Sequence, residues 1–195
     1  MRRTRRFSQA ISEGDGISVI VEVADPDAAR AAEAQGAEAV VVRGLPTGVR
    51  EATTLPIFWR GRGLLAEAER WGADACLLSM ETLGDEDGEL EELAAEAADL
   101  GIDAVIEVRS ADELEAALER LDPEIFLLSS RGTEEGGLAW ALELLPDVPA
   151  GKLAVAEAPA TTREEVVELE RAGVDAVIVG ARDVSGLVGR GQPEV

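Results

Sequence analysis

Four times the chain turns from a helix into a strand through the same few letters: GAEAVVV from Gly36, GADACLL from Gly72, GIDAVIE from Gly101 and GVDAVIV from Gly173. Each copy follows a segment rich in Ala, Glu and Leu at helical spacing, and each opens a short apolar run with β-branched members. A glycine at that junction reads as a helix C-cap, because glycine takes the left-handed conformation without a Cβ clash; the run behind it reads as a strand. Strands apolar on both faces, with helices between them, belong to a parallel sheet built from βαβ crossovers.

Carried along the whole chain, this pattern predicts eight strands: Ile17–Ala24, Ala39–Arg43, Pro56–Arg60, Ala75–Met80, Ala104–Arg109, Ile125–Ser129, Leu153–Glu157 and Ala176–Gly180. Helices are predicted at Pro26–Gln35, Leu64–Trp71, Glu86–Leu100, Ala111–Leu121, Glu135–Leu145 and Thr162–Ala172. Between the second and third strands, LPTGVREATT leaves room for a turn or a degenerate helix. RDVSGLVGRGQPEV, behind the eighth, is too glycine-rich for a full one. The expected fold is an α/β, single-domain TIM (β/α)8 barrel over residues 1–195, with a shortened second helix, short loops and a truncated C-terminal helix. It is lean beside the roughly 250 residues typical of such barrels. Residues 1–10 read as a basic arm and 183–195 as an irregular tail. The competing architecture, an open doubly wound sheet, normally carries a glycine-rich phosphate loop after its first strand, and VEVADPDAAR has none.

Charge and missing residue types narrow the chemistry. A formal net charge of -22 repels phosphate backbones, so nucleic acid is excluded as a partner. The arginines of MRRTRRF are the local exception, read as a mobile tail drawn to the protein's own acidic surface or, more sharply, as a docking arm. No apolar run approaches the roughly 18 residues of a membrane span, no secretory h-region follows those arginines, and Cys76 is the one cysteine; a cytoplasmic protein is expected, its oligomeric state left open with a monomer favoured. The chain contains no histidine and no tyrosine, and Lys152 is its one lysine. Imidazole chemistry is thereby excluded, and neither a metal site nor a cofactor is expected. Catalysis, if present, must use carboxylates, hydroxyls, arginine or backbone.

In barrels of this kind the active site lies at the C-terminal ends of the strands. Those ends carry Glu22, Arg43, Arg60, Ser79, Glu81, Glu107, Arg109, Ser129 to Arg131, Glu157 and Arg182. Three of the glutamates are embedded in apolar strands, as IVEVA, VIEVR and VAEAP. They read either as a catalytic cluster with a buried acid or base, or as a ring of Glu–Arg pairs that neutralise one another in a packed barrel top. Lys152 precedes the seventh strand and so belongs to the opposite end.

The motifs FSQAI, GISVIVEVADP, LPIFWRG, GADACLLSM, GIDAVIEVRSADELEAAL, KLAVAEAPATTREEV and GVDAVIVGA, in this order, resemble the indole-3-glycerol phosphate synthase family. These are tryptophan-pathway lyases that close the indole ring on a (β/α)8 barrel. The resemblance implies family site positions at Glu22, Arg60, Glu107, Ser129 and Glu157, and a phosphate or other small anion held by Gly180, Ala181 and Arg60. It also exposes departures. The family's first strand ends in a glutamate and a lysine two apart; here Glu22 is followed by Ala24. The third-strand lysine, the family's general acid, falls on Arg60, and GRG replaces a longer covering loop. The sixth-strand asparagine becomes Ser129, and the phosphate-cradling Ser-Gly and Gly-Ser become Ala158-Pro159 and Gly180-Ala181. Arginine is a poor proton donor, proline lacks an N–H and alanine a hydroxyl. The expectation is therefore a degenerate barrel in which ordinary lyase activity is absent or marginal, with a small-anion-binding or interaction role. The alternatives are a divergent enzyme, either a weak lyase or one acting on another small anion through Arg60, Glu107 and Ser129, and a subunit that docks on a tryptophan-pathway partner.

Overall fold

The computed structural model describes residues 6–13, 16–61, 63–80, 88–130, 137–157, 162–180 and 184–188. All eight predicted strands form, as β1 (Ser18–Val23), β2 (Ala39–Val42), β3 (Ile57–Trp59), β4 (Ala75–Ser79), β5 (Asp103–Val108), β6 (Ile125–Ser129), β7 (Leu153–Glu157) and β8 (Ala176–Val179). Each pairs in parallel with its sequence neighbour, and β8 returns to β1 through Ser18↔Ala176 to Val21↔Val179, closing the barrel. The helices are α1 (Arg6–Ser12), α2 (Pro26–Ala34), α3 (Val49–Ala52), α4 (Leu65–Arg70), α5 (Glu89–Leu100), α6 (Ala111–Arg120), α7 (Gly137–Leu144) and α8 (Arg163–Ala172). No helix among the described residues is long and apolar enough to cross a membrane.

The repeat glycines do what their position requires: Gly36, Gly72, Gly101 and Gly173 have φ of 90°, 78°, 71° and 101°. The acid two residues further on has a role that the sequence did not disclose. Asp175 donates its N–H to the carbonyl of Ala154 at 3.0 Å and accepts the Ala154 N–H at 2.7 Å. Asp74 holds Ile57 the same way, at 2.9 and 3.0 Å, and Glu38 holds Val19 at 3.0 and 2.9 Å. Each acid thus clamps the start of an earlier strand, where a buried amide would otherwise lack an acceptor. In the remaining repeat, Asp103 is turned to another use and accepts the backbone N–H of Ser8 at 2.8 Å.

That bond anchors α1, a helix in the stretch read from sequence as a basic arm. Phe7 and Ile11, one helical turn apart, are buried among the inward residues Ile20, Val41, Phe58, Val105, Ile125 and Val155. The Phe7 ring lies 5.3 Å from that of Phe58. Together they close the N-terminal end of the barrel with apolar surface. A second apolar layer, including Val40, Trp59, Ile106, Phe126, Leu128 and Val177, fills the space between strands and helices.

The connection from β2 to β3 is the degenerate one expected, with the four-residue α3 alone. Arg50 compensates from that helix: its guanidinium donates to the carbonyls of Thr53 (2.6 Å) and Leu55 (2.8 Å) and to Asp74 (3.0 Å). Beyond β8, Val184 and Leu187 are buried in a turn, and the Val184 N–H donates to the Gln35 side chain at 2.8 Å.

Candidate functional site

Strand alternation carries the inward row of the core one position further, to the barrel mouth. From β1 to β8 that position is occupied by Glu22, Arg43, Arg60, Ser79, Glu107, Ser129, Glu157 and Gly180. All but Gly180 carry an ionisable or hydroxyl-bearing side chain, and each of these shares a network or a register pair with a neighbour.

Glu157 is the hub. Its Oε1 accepts from Arg43 Nη2 at 2.7 Å and from Arg60 Nη1 at 2.8 Å; its Oε2 accepts from Arg60 Nη2 at 3.0 Å and from Ser129 Oγ at 3.0 Å. Arg43 reaches sideways, its Nε donating to Glu22 at 2.9 Å. Arg60 Nη2 also lies 3.5 Å from Glu107 Oε1, and Arg109 Nη2 donates to Glu107 Oε2 at 3.2 Å. Ser79 is the register partner of Glu107. Among the described residues, three carboxylates and three guanidinium groups therefore form one connected array of zero net charge. It is the ring of Glu–Arg pairs that was one of the two readings of the strand ends.

Burial is uneven across this array. The side chains of Arg60 and Glu107 are 1% and 2% exposed, whereas Arg43 and Glu22 at the rim are 39% and 38% exposed. Arg60 Nε and Glu107 Oε1 are buried without a hydrogen bond, so closing the mouth carries a desolvation penalty that the ion pairs must offset. For Glu157, burial by itself raises the carboxyl pKa. Bonds and charge from Arg60, then Arg43, outweigh it, and the net direction is downward. Glu157 is therefore held as a carboxylate, an acceptor and not a proton donor.

Glu22, Arg60, Glu107, Ser129 and Glu157, the five residues that the resemblance implied for the site, lie together at the mouth. Arg43 belongs with them although the resemblance did not single it out; its place at the end of β2 was the available signal. Of the three residues expected to hold an anion, Arg60 faces Glu157, Gly180 follows β8 and is exposed, and Ala181 lies outside the described residues. So do Glu81, Arg131, Ala158, Pro159 and Arg182.

Trp59 turns away from the mouth into the outer layer, packs edge-on against Trp71 at 5.8 Å, and donates to the Gly44 carbonyl at 2.7 Å. A Cβ on Gly61 would lie 2.2 Å from the Trp59 Nε1, which explains a glycine immediately after Arg60. Lys152 sits at the far end, paired with Asp122 Oδ1 at 2.6 Å. Cys76 is a core residue whose thiol is pushed up to about 12, first by burial and then by the charges of Asp103 and Glu96.

Comparison with known proteins follows the same lines. The chain is 33% identical over 168 residues to the indole-3-glycerol phosphate synthase of Geobacillus sp. (strain WCH70); the match covers 78% of this chain and 64% of that protein, so the chain spans under two thirds of its relative's length. Among solved structures, the N-acetylmannosamine-6-phosphate 2-epimerase of Clostridium perfringens superposes with a TM-score of 0.68 at 18% identity, covering 84% of this chain and 86% of that one. A mandelate oxidase does so with 0.66 at 15% identity, covering 84% and 64%. At such identities these two share the barrel alone. The family model that matches, over residues 62–184, is that of indole-3-glycerol phosphate synthase, and with the strand motifs in place on a closed eight-stranded barrel, the chain belongs to that family.

Proposed function

We propose that this member of the family does not run the ordinary lyase reaction, and that its mouth is a self-paired charge array on a pared-down barrel. The observation that carries this is Arg60. It stands where the resemblance places the general-acid lysine, and it is buried and bidentate to Glu157. A guanidinium keeps its proton at any ordinary pH, so it orients an anion but does not protonate a leaving group. Nor does a lysine ammonium reach the mouth, since the one lysine, Lys152, is at the opposite end. Loss of one proton donor slows catalysis by roughly 10²- to 10⁴-fold.

A second reading has its own support: the 33% identical relative is named for the lyase, and this chain keeps carboxylates at Glu107 and Glu157. In that reading the protein is a slow, divergent indole-3-glycerol phosphate synthase. An indole-fluorescence assay with the family's substrate separates the two. The wild type should show no turnover above background, and the double variant Ala24→Lys/Arg60→Lys should gain it. Wild-type turnover that disappears in Glu107→Gln would establish the divergent lyase instead.

A further inference from the structure

Among the described residues, four donors from the ends of three strands converge on the planar Glu157 carboxylate: two guanidinium N–H on one oxygen, one guanidinium N–H and a hydroxyl on the other. This is the arrangement by which proteins hold a free carboxylate, with the arginine fork supplying two parallel bonds. Here the carboxylate belongs to the chain. We infer that Arg43, Arg60 and Ser129 form a carboxylate-binding site whose resident ligand is Glu157, an internal competitor that keeps small external carboxylates out.

Charge and access both support this. With Glu157 in place the array holds, among the described residues, three cations and three anions, which offer a further anion no net attraction. Without it, one positive charge is uncompensated, in a site where the Arg60 side chain is 1% exposed and electrostatic attraction is weakly screened. Glu157 itself is 19% exposed, so the carboxylate lies on the solvent side of Arg60, where a replacement can enter. The cradle matches a two-oxygen planar anion of formate or acetate size. This inference rests on the reading of the mouth as paired with itself.

Glu157→Ala removes the resident carboxylate and leaves its donors. Its melting temperature is expected below that of the wild type and should rise saturably with sodium formate, half-maximally at millimolar concentration, against sodium chloride at equal ionic strength. The wild type should respond equally to the two salts. A Glu157→Ala protein that answers formate no better than chloride, or a wild type that answers as strongly as the variant, overturns the inference. So does an equal formate response from Glu22→Gln, because Glu22 contacts Arg43 from outside the cradle and its removal changes only net charge. Should Glu157→Ala fail to fold in either salt, Glu157→Ser, whose short side chain also leaves the cradle open, decides: calorimetry should find formate bound at least tenfold more tightly than by the wild type, and a smaller difference overturns the inference. Indole formation by the wild type would overturn the preceding reading and leave this titration standing, whereas a flat titration leaves that reading in place.

Discussion

Arg60 shows how a guanidinium sets the physics of a site: its charge is permanent and its fork engages more than one partner. Its guanidinium spans two carboxylates on different strands of the barrel, Glu107 on β5 and Glu157 on β7, in a place with almost no solvent. Removing one partner of such a group strands the others, at about 3–5 kcal/mol. Urea unfolding of Arg60→Met should show a loss of that size, while Arg43→Gln at the exposed rim should lose about 1 kcal/mol or less. Acid should reveal the same pairs. The Glu157 carboxyl titrates below its unfolded value, so its stabilisation is complete above the ordinary glutamate pKa of about 4.3 and fades as pH falls through the depressed folded value. The gap in melting temperature between wild type and Glu157→Gln should therefore be largest near neutrality and shrink below about pH 4. Much of this was legible in the sequence, because strand ends and two-residue alternation identify which side chains share the mouth. Who bonds to whom was not, since Arg43 and Glu157 are 114 residues apart and meet only through barrel closure.

At the level of elements, the helix–glycine–strand repeat was readable because each glycine answers a local steric demand. The acid of the same repeat was not, because its partner lies on another strand. Its side-chain bond is expected to be worth about 1–3 kcal/mol, the penalty for stranding a buried amide. Asp175→Ala, which leaves the Ala154 N–H without its 2.7 Å acceptor, should fall in that range by chemical denaturation, with faster hydrogen exchange at the head of β7. Helix α1 escaped the sequence reading for a related reason. Seven residues carry too little periodicity to announce a helix, and arginines dominate the segment's composition; the Phe7 and Ile11 spacing becomes meaningful only with the open floor of the barrel above it. The β3 loop, in contrast, is explained by contact: Gly61→Ala would drive a methyl group into the Trp59 indole. Its signature should be an altered tryptophan emission together with lost stability.

For the whole molecule, closure is the cooperative event. Eight strands have no free edge once β8 meets β1, and the floor is completed by Phe7, which is fully buried. Phe7→Ala should cost about 3–5 kcal/mol as a core truncation, measurable in urea, and that loss should exceed anything expected of a terminal arm. The sequence alone determined the order of elements, the parallel sheet, the absence of imidazole chemistry and the set of residues at the mouth. These follow from local sterics, periodicity and residue inventory, all of which are encoded within a few neighbouring positions. Tertiary structure decided that the mouth's charges pair with one another, that repeat acids clamp neighbouring strands, and that the first helix seals the floor. Each of these depends on distances between groups remote in the chain, and those distances exist only after the barrel has closed.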